Sequence, residues 1–279
     1  MRKKRVKTNH RMTESKLIRL DTILKELGSF VIAFSGGVDS SFLVHRAHSI
    51  KSLRAKALTI RTSYMPVREM NEAVAFAKKI GIDIEIIDME FHETIKHNPS
   101  KRCYFCKNIL FTELVNFARK NNFRYVADGT NADDMGASRP GLRALRELDI
   151  RSPLAEAGLT KNDIREMAQR MGLPFFDKPA MACLLTRIPY NTNVTVEMLQ
   201  MIDKAEDLLF EKGYPGTRVR THGDVARIEC MPGYLERIIL DPERNHIVNG
   251  LKKIGFRYVS LDLEGYRTGS MDHPEEEES

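Results

Sequence analysis

The stretch Phe30-Val31-Ile32-Ala33-Phe34-Ser35-Gly36-Gly37-Val38-Asp39-Ser40-Ser41 carries the reading of the fold. Its apolar run is what a parallel strand buried on both faces shows, and the small and polar residues after it place a loop at that strand's carboxyl end. Glycine permits positive φ and close backbone approach, the serine hydroxyls donate hydrogen bonds, and a helix starting at Ser40-Ser41 offers free N–H groups and a positive dipole end. These parts predict an anion cradle suited to phosphate. The same residues also suit a ligand-free strand-to-helix turn. The chain has neither the Gly-Lys-Ser/Thr of a Walker A loop nor a G-x-G-x-x-G, so kinase-like and dinucleotide readings lose their main support.

Upstream, Leu17, Ile18, Leu20, Ile23, Leu24 and Leu27 recur at helical spacing, which predicts a helix over 12–27 with Thr13 as its cap. Downstream, the pattern predicts helices over 41–50, 66–80, 104–120 and 161–171, alternating with strands over 55–60, 83–87 and 125–127. Such alternation means an α/β fold with a doubly wound parallel sheet and ligands at the carboxyl ends of its strands. Past Leu173-Pro174 the pattern changes to a helix over 195–211, strands near 218–220 and 226–228, a helix over 241–254 and a strand over 258–261. The expected division is a basic extension (1–11), a nucleotide domain (12–180), a smaller C-terminal α+β domain (181–265) and an acidic tail (266–279).

Among 279 residues, 44 Lys and Arg face 38 Asp and Glu, giving a formal charge of +6, and 42% of residues are hydrophobic. These values exclude fibrous and disordered classes. The five basic residues between Arg2 and Lys7 are offset by Asp272 and the glutamates from Glu275 to Glu278, so the body keeps the excess. A mildly basic body suits anionic ligands such as nucleotides without demanding nucleic acid. No apolar run approaches the roughly 18–20 residues of a membrane span, and the basic start leads into polar Thr8, Asn9 and His10, so a cytoplasmic protein is expected. Four cysteines are too few and too unevenly spread for a disulfide framework, which leaves thiol chemistry or metal binding.

Cys103 and Cys106 form a C-x-x-C among the basic residues Lys101, Arg102 and Lys107, a spacing at which two thiolates share a metal centre or act as a redox pair. Buried structural thiols are the other reading. A third thiol would complete a ligand set for an iron–sulfur cluster with one open iron, and Cys183, between Lys178 and Arg187, is the candidate. Cys230 sits in an apolar stretch and reads as core filler. Asp128-Gly129-Thr130-Asn131-Ala132-Asp133-Asp134 follows another buried strand, so Asp133 and Asp134 either hold Mg2+ or cap the next helix. Arg139-Pro140-Gly141 and Ser152-Pro153-Leu154 read as turns. Arg218, Arg220, Arg227, Glu206 and Glu229 suit either a phosphorylated acceptor or a solvated sheet face.

The Ser-Gly-Gly-x-Asp-Ser loop resembles the PP-loop of the ATP pyrophosphatases, which bind ATP, adenylate an acceptor and release pyrophosphate. The resemblance implies an adenine nucleotide alpha hydrolase-like domain. Ser35, Gly36, Gly37, Asp39 and Ser40 would surround the pyrophosphate, Thr59 would lie against the adenine, and Gly129 would belong to the same cofactor site. Asn98-Pro-x-x-Arg102-Cys103-Tyr104-x-Cys106-Lys107, Asp128-Gly-Thr-Asn-x-Asp-Asp134, Lys178-Pro-Ala, Ala182-Cys183-Leu, Arg187-Ile-Pro-Tyr190 and Arg218-Val-Arg are similar to the LarE-type ATP-dependent sulfur transferases over roughly 12–265. That likeness implies the substrate pyridinium-3,5-biscarboxylic acid mononucleotide, whose carboxylates become thiocarboxylates on the way to the nickel-pincer nucleotide cofactor of lactate racemase. It implies substrate contacts at Arg218, Arg220, Glu206, Glu229 and Arg187, with metal binding in the same region, and a hexameric homo-oligomer.

Some members of the group sacrifice a cysteine matching Cys183. Others hold a 4Fe-4S cluster on three cysteines, and Cys103, Cys106 and Cys183 fit that second pattern, fed by a sulfur donor. A tRNA thiolase with the same loop is the alternative, but added zinc-finger C-x-x-C pairs are missing and the basic excess is modest. An ammonia-using amidotransferase type would leave the placed cysteines unexplained, and a non-catalytic nucleotide sensor would leave both them and Asp133-Asp134 idle.

Overall fold

The computed structural model describes the backbone of residues 2–136, 140–178 and 182–271, and the side chains in those ranges from Thr13 onward. Arg139, Pro179, Ala180, Met181, most of the acidic tail (272–279) and the side chains of the basic start lie outside the described residues. In chain order the elements are α1 (Arg2–Leu27), β1 (Ser29–Ala33), α2 (Val38–Ser49), β2 (Arg54–Arg61), α3 (Val67–Lys79), β3 (Ile84–Asp88), α4 (Glu93–Lys96), α5 (Arg102–Lys120) and β4 (Tyr125–Ala127). They continue with α6 (Ala132–Met135), α7 (Pro140–Glu147), α8 (Pro153–Glu156), α9 (Lys161–Arg170), α10 (Val196–Glu211), β5 (Arg218–His222), β6 (Val225–Glu229), α11 (Leu235–Leu240), α12 (Arg244–Ile254) and β7 (Tyr258–Leu261).

The first four strands form one sheet in the order β3-β2-β1-β4, with every pairing parallel. Along β1 the side chains alternate between two cores: Phe30 and Ile32 pack with Leu20, Leu24 and Leu27 of α1, whereas Val31 packs with Leu58, Val126 and residues of α5. This is the doubly wound α/β architecture that the apolar run predicts, since period-two side chains can all be buried only when helices cover both faces. The outer strand β3 is covered less, and Lys56 pairs with Asp83 and Arg61 with Asp88 along that side. Charges of this kind discourage another strand from adding to the edge.

The chain divides into two compact units, the first comprising Met1–Arg61, Glu69–Met89 and Lys101–Met181, the second Thr62–Arg68, Glu90–Ser100 and Ala182–Ser279. The second unit takes in two segments that follow strands of the first. Backbone hydrogen bonds explain this: Leu184 donates to the Tyr64 carbonyl, Asn191 to that of Asn98, and Val194 to that of Lys96. Its own sheet, β5-β6-β7, has one antiparallel and one parallel pairing, and its core gathers Leu209, Tyr214, Val219, Ile228, Leu251 and Phe256.

Four local expectations are corrected. α1 starts at Arg2, so Thr13 is no cap; it sits mid-helix, where its hydroxyl donates to Asp163. α2 starts at Val38, ahead of Ser40-Ser41, because Gly36 turns the chain at φ +76° and Gly37 is already the cap. The segments at Pro140 and Pro153 begin helices, since proline's fixed φ and missing N–H cost nothing in a first helical turn.

Candidate functional site

In the parallel sheet, β2 lies to one side of β1 and β4 to the other. The strand order therefore reverses between β1 and β4, and a crevice outside the carboxyl ends of those two strands is where such sheets hold ligands. The Ser35 and Asp128 loops leave these strands. They meet closely, for a Cβ on Gly129 would stand 2.8 Å from the Ser40 amide nitrogen.

The Ser35 loop is organised around two hydroxyls. Ser40 Oγ lies 3.0 Å from Ser35 Oγ, accepts from the Ser35 N–H at 3.3 Å and donates to the Gly37 carbonyl at 3.2 Å. Gly36 is required twice over, by its positive φ and because a Cβ there would fall 2.3 Å from the Ala73 Cβ on α3. Behind the loop, Thr59 donates to the Phe34 carbonyl at 2.7 Å. The Thr59 side chain is buried, so its hydroxyl is engaged in bracing β1.

Asn131 links the two loops. Its amide nitrogen donates to Asp39 at 3.3 Å, while its oxygen accepts from the Asp133 and Asp134 N–H groups at the start of α6. Asp134 completes that capping box, and Asp133 accepts from the Lys161 N–H at 2.8 Å at the start of α9. Both carboxylates thus serve as caps in this structure. Asp39 differs: Oδ1 is buried without a hydrogen-bond partner. Burial pushes the Asp39 carboxyl above the usual range, partly opposed by the Lys161 charge and the Asn131 amide. A shielded, unpartnered carboxylate oxygen is a group that a cation would satisfy.

Beside Gly36 lies a cavity of about 270 Å3 lined by Ser41, Glu72, Phe76, Phe175 and Lys178 among others. Lys178 Nζ pairs with Glu72 at 3.0 Å and reaches the Gly36 carbonyl at 3.4 Å. With Lys161 and Arg165 acting on Asp39, the Ser35 loop has basic side chains around it.

In the second unit, Cys183 precedes a single 3-10 turn, Leu184–Arg187. Arg187 is fully buried; its guanidinium forks onto Glu206 at 2.9 Å and donates to the carbonyls of Ala182 and Cys183 at 2.8 and 3.0 Å. Glu206 also accepts from the Val219 N–H at 3.0 Å and lies 3.7 Å from Arg218. Burial raises the Glu206 carboxyl, yet the Arg187 and Arg218 charges and the hydrogen bonds outweigh it and hold the group below the usual range. Arg220 pairs with Glu229 at 2.8 Å and donates to the Thr186 carbonyl at 2.9 Å. Glu229 further accepts from Ser270 at 2.7 Å and faces Arg227 at 3.1 Å.

The solvated-face reading is therefore overturned for Glu206, Arg218, Arg220 and Glu229, which are buried as Arg187 is, whereas Arg227 stays half-buried. Removing such groups from water is tolerable only because opposite charges and hydrogen bonds meet them: Glu206 of α10 faces Arg187 and Arg218, and Glu229 of β6 faces Arg220 of β5.

Cys103 is exposed and Cys106 half-buried on the first turn of α5, three residues apart and hence neighbours on one helix surface. Cys183 is half-buried in the second unit. Among the described residues no group of three or more His, Cys, Asp or Glu side chains is placed to hold a metal ion. Cys230 is fully buried in the second unit's core, and burial pushes its thiol up.

No protein-family model matches the chain. An uncharacterized protein of Synechocystis sp. is 39% identical over 94% of this chain and 98% of its own length. The pyridinium-3,5-bisthiocarboxylic acid mononucleotide synthase of Lactiplantibacillus plantarum is 32% identical over 92% of this chain and 94% of its own length. The chain belongs to the pyridinium-3,5-bisthiocarboxylic acid mononucleotide synthase family. As a member of that synthase family it is an enzyme. A more distant likeness reaches a subunit of the glutamine-hydrolyzing GMP synthase of Archaeoglobus fulgidus, which is 24% identical over 66% of this chain and 65% of its own length. Among the described residues no helix is long and apolar enough to cross a membrane.

Within this synthase-family chain, sequence reasoning quotes Asn131 and Asn98 as members of motifs and gives neither a role; Asn131 joins the loops, and the Asn98 amide reaches the turn after Cys183. Asn131 has a legible signal, standing three residues before Asp134 as a capping box requires. Lys178 stands out in the sequence only as a neighbour of Cys183, and nothing in its spacing points back to Gly36.

Proposed function

We propose that this enzyme uses ATP to adenylate the carboxylates of pyridinium-3,5-biscarboxylic acid mononucleotide and replaces the adenylate with sulfur, giving thiocarboxylates. The observation that carries the reading is the near full-length relationship to a synthase named for that bisthiocarboxylic product. The crevice between β1 and β4 supports the ATP half. Ser35, Gly36, Gly37 and Ser40 offer hydroxyls and N–H groups to the departing pyrophosphate, with Gly129 closing the cradle, and Lys178 supplies positive charge beside it. Thr59 braces the strand next to which the adenine lies.

Mg2+ neutralises phosphate charge when bound, and Asp39, with its unpartnered Oδ1, fits it better than Asp133 or Asp134, which act as caps. In the reaction a substrate carboxylate oxygen attacks the α-phosphorus and pyrophosphate leaves; a sulfur nucleophile then attacks the acyl carbon and AMP leaves. Adenylation is needed because AMP is a good leaving group and carboxylate oxygen a poor one.

For the sulfur half, the assignment is a 4Fe-4S cluster on Cys103, Cys106 and Cys183, reloaded by an external sulfide donor. The pair on α5, Cys103 exposed and Cys106 half-buried, supports it, for two neighbouring thiols near a helix start have no role in a mechanism that consumes Cys183 alone. When bound, the cluster would supply an open iron at which sulfide is carried. Arg218, Arg220, Arg187, Glu206 and Glu229 form the acceptor side; in the structure they hold one another and the Cys183 turn, so substrate phosphate has to compete with Glu206 for Arg218. A cytoplasmic homo-oligomer, hexameric as in the family, completes the reading.

The test is to incubate anaerobically purified enzyme with ATP, Mg2+, sulfide and the biscarboxylic mononucleotide. Acceptor-dependent pyrophosphate release with a thiocarboxylate detected by mass spectrometry is expected. Pyrophosphate release with tRNA and none with the mononucleotide would overturn it.

A further inference from the structure

The Cys183 turn belongs to no sheet, and most of the hydrogen bonds that fix it come from side chains. Arg187 takes the carbonyls of residues 182 and 183, and Arg220 takes that of residue 186. The other side of the turn is held by Asn98. Its Nδ2 donates to the carbonyls of Leu185, Ile188 and Pro189 at 3.2, 2.9 and 3.0 Å.

Two features mark Asn98 as built for this. It is fully buried and adopts φ +49°, a left-handed conformation that Asn tolerates better than most side chains. Its Oδ1 is buried with no partner, so the side chain accepts the cost of one unmet acceptor to deliver its amide hydrogens to three carbonyls. The residue also lies five positions ahead of Cys103 in the chain, on the segment that leads into the C-x-x-C.

We propose that Asn98 is a positioning residue that fixes the Cys183 turn for sulfur delivery. The inference rests on the sulfur-transfer reading above for its purpose, and on the hydrogen bonds alone for its geometry. Attack on an acyl adenylate demands placement of the sulfur to a fraction of an ångström, and a single 3-10 turn with few backbone bonds holds such a position mainly through side-chain bonds.

The first measurement uses the full chain carrying Cys103→Ser and Cys106→Ser, which leaves Cys183 as the accessible thiol because Cys230 is fully buried. Alkylation of Cys183 by iodoacetamide is followed by peptide mass spectrometry with Asn98 intact, with Asn98→Gly and with Asn98→Asp. Glycine accepts the positive φ and aspartate keeps the shape, so both preserve the backbone while removing the amide donor. Alkylation is expected to accelerate about tenfold or more in both variants, as the turn opens more often. The second measurement keeps all four cysteines and counts thiocarboxylate formed per AMP released. This ratio is expected to fall about tenfold with the KM for ATP within about twofold, a split that general destabilisation would not produce.

Unchanged alkylation in both variants overturns the proposal whatever the wild type catalyses. Faster alkylation with an unchanged ratio overturns the delivery role. If the wild type itself makes no thiocarboxylate, the sulfur-transfer reading falls, and the alkylation rates still decide whether Asn98 holds the turn.

Discussion

Gly129 and Ser40, on loops that leave two different strands, are packed so closely that a Cβ on Gly129 would stand 2.8 Å from the Ser40 nitrogen and 3.1 Å from its Cα. Contact with backbone gives no flexible side chain that can move away. Gly129 lacks a positive φ, so the glycine is there for approach and not for conformation. Gly129→Ala is therefore expected to spread the Ser35 and Asp128 loops while leaving the fold intact. Acceptor-dependent pyrophosphate release should show a rise of about tenfold or more in the KM for ATP, with a melting temperature within a few degrees of wild type, since misplacement of this order costs rate before it costs stability.

Gly36 has the opposite balance, needing both the left-handed backbone and the space beside Ala73. Gly36→Ala is expected to destabilise the protein by about 2–4 kcal/mol, combining left-handed strain with overpacking. Adding Ala73→Gly relieves the collision and leaves the strain, so the double variant should recover part of the loss. Urea unfolding of the three proteins measures this; full recovery would show that the φ requirement carries no weight.

The Arg187–Glu206 pair makes stability depend on pH in a definite direction. Arg187, Arg218 and hydrogen bonds hold the Glu206 carboxyl below its ordinary 4.5 despite burial. A depressed folded-state value gives stability that is present above the unfolded value and lost as pH falls through the folded one. Glu206→Gln should thus be clearly less stable than wild type at pH 7, with a gap that narrows as the pH falls below the ordinary 4.5 of the unfolded carboxyl. Arg187→Met leaves a buried carboxylate without its main partner and is expected to cost about 3–5 kcal/mol. Much of that should return in Arg187→Met with Glu206→Leu, which removes both charges.

Much of the fold is legible because its physics is local. The run at Phe30-Val31-Ile32 can only be buried on both sides, and Phe30 and Ile32 indeed face one core while Val31 faces the other. Tyr125–Ala127 and Tyr258–Leu261 are strands with the predicted bounds. The helices at Pro140 and Pro153 escape the sequence reading because proline in a first turn looks the same in sequence as proline in a loop. The second unit's recruitment of Glu90–Ser100 rests on the backbone bonds from Asn191 and Val194 and on the Asn98 amide reaching residues 185, 188 and 189, pairings across almost the whole middle of the chain that no periodicity reports. At the site, the Ser-Gly-Gly loop is readable from residue types. The burial of Arg187 and Glu206 is not, because a charged residue in a turn or on a helix looks alike in sequence whether solvent or an opposite charge faces it.

The four cysteines separate into roles that one series of variants distinguishes. Cys103 is exposed and Cys106 and Cys183 are half-buried, whereas Cys230 is fully buried among Leu209, Val219 and Phe256. Iron and acid-labile sulfide should be lost from anaerobically purified Cys103→Ala, Cys106→Ala and Cys183→Ala alike, because a cluster with three protein thiolates fails when any one is removed. Cys230→Ser should retain iron and lose about 1–3 kcal/mol of stability, since a hydroxyl there would be buried beside apolar side chains. Wild-type protein without iron, together with a Cys183 mass that drops by the elements of hydrogen sulfide after one turnover, would transfer the sulfur source to Cys183 itself. In that case Cys103→Ala should leave the first turnover intact, because a donor that spends its own sulfur needs no partner thiols for it.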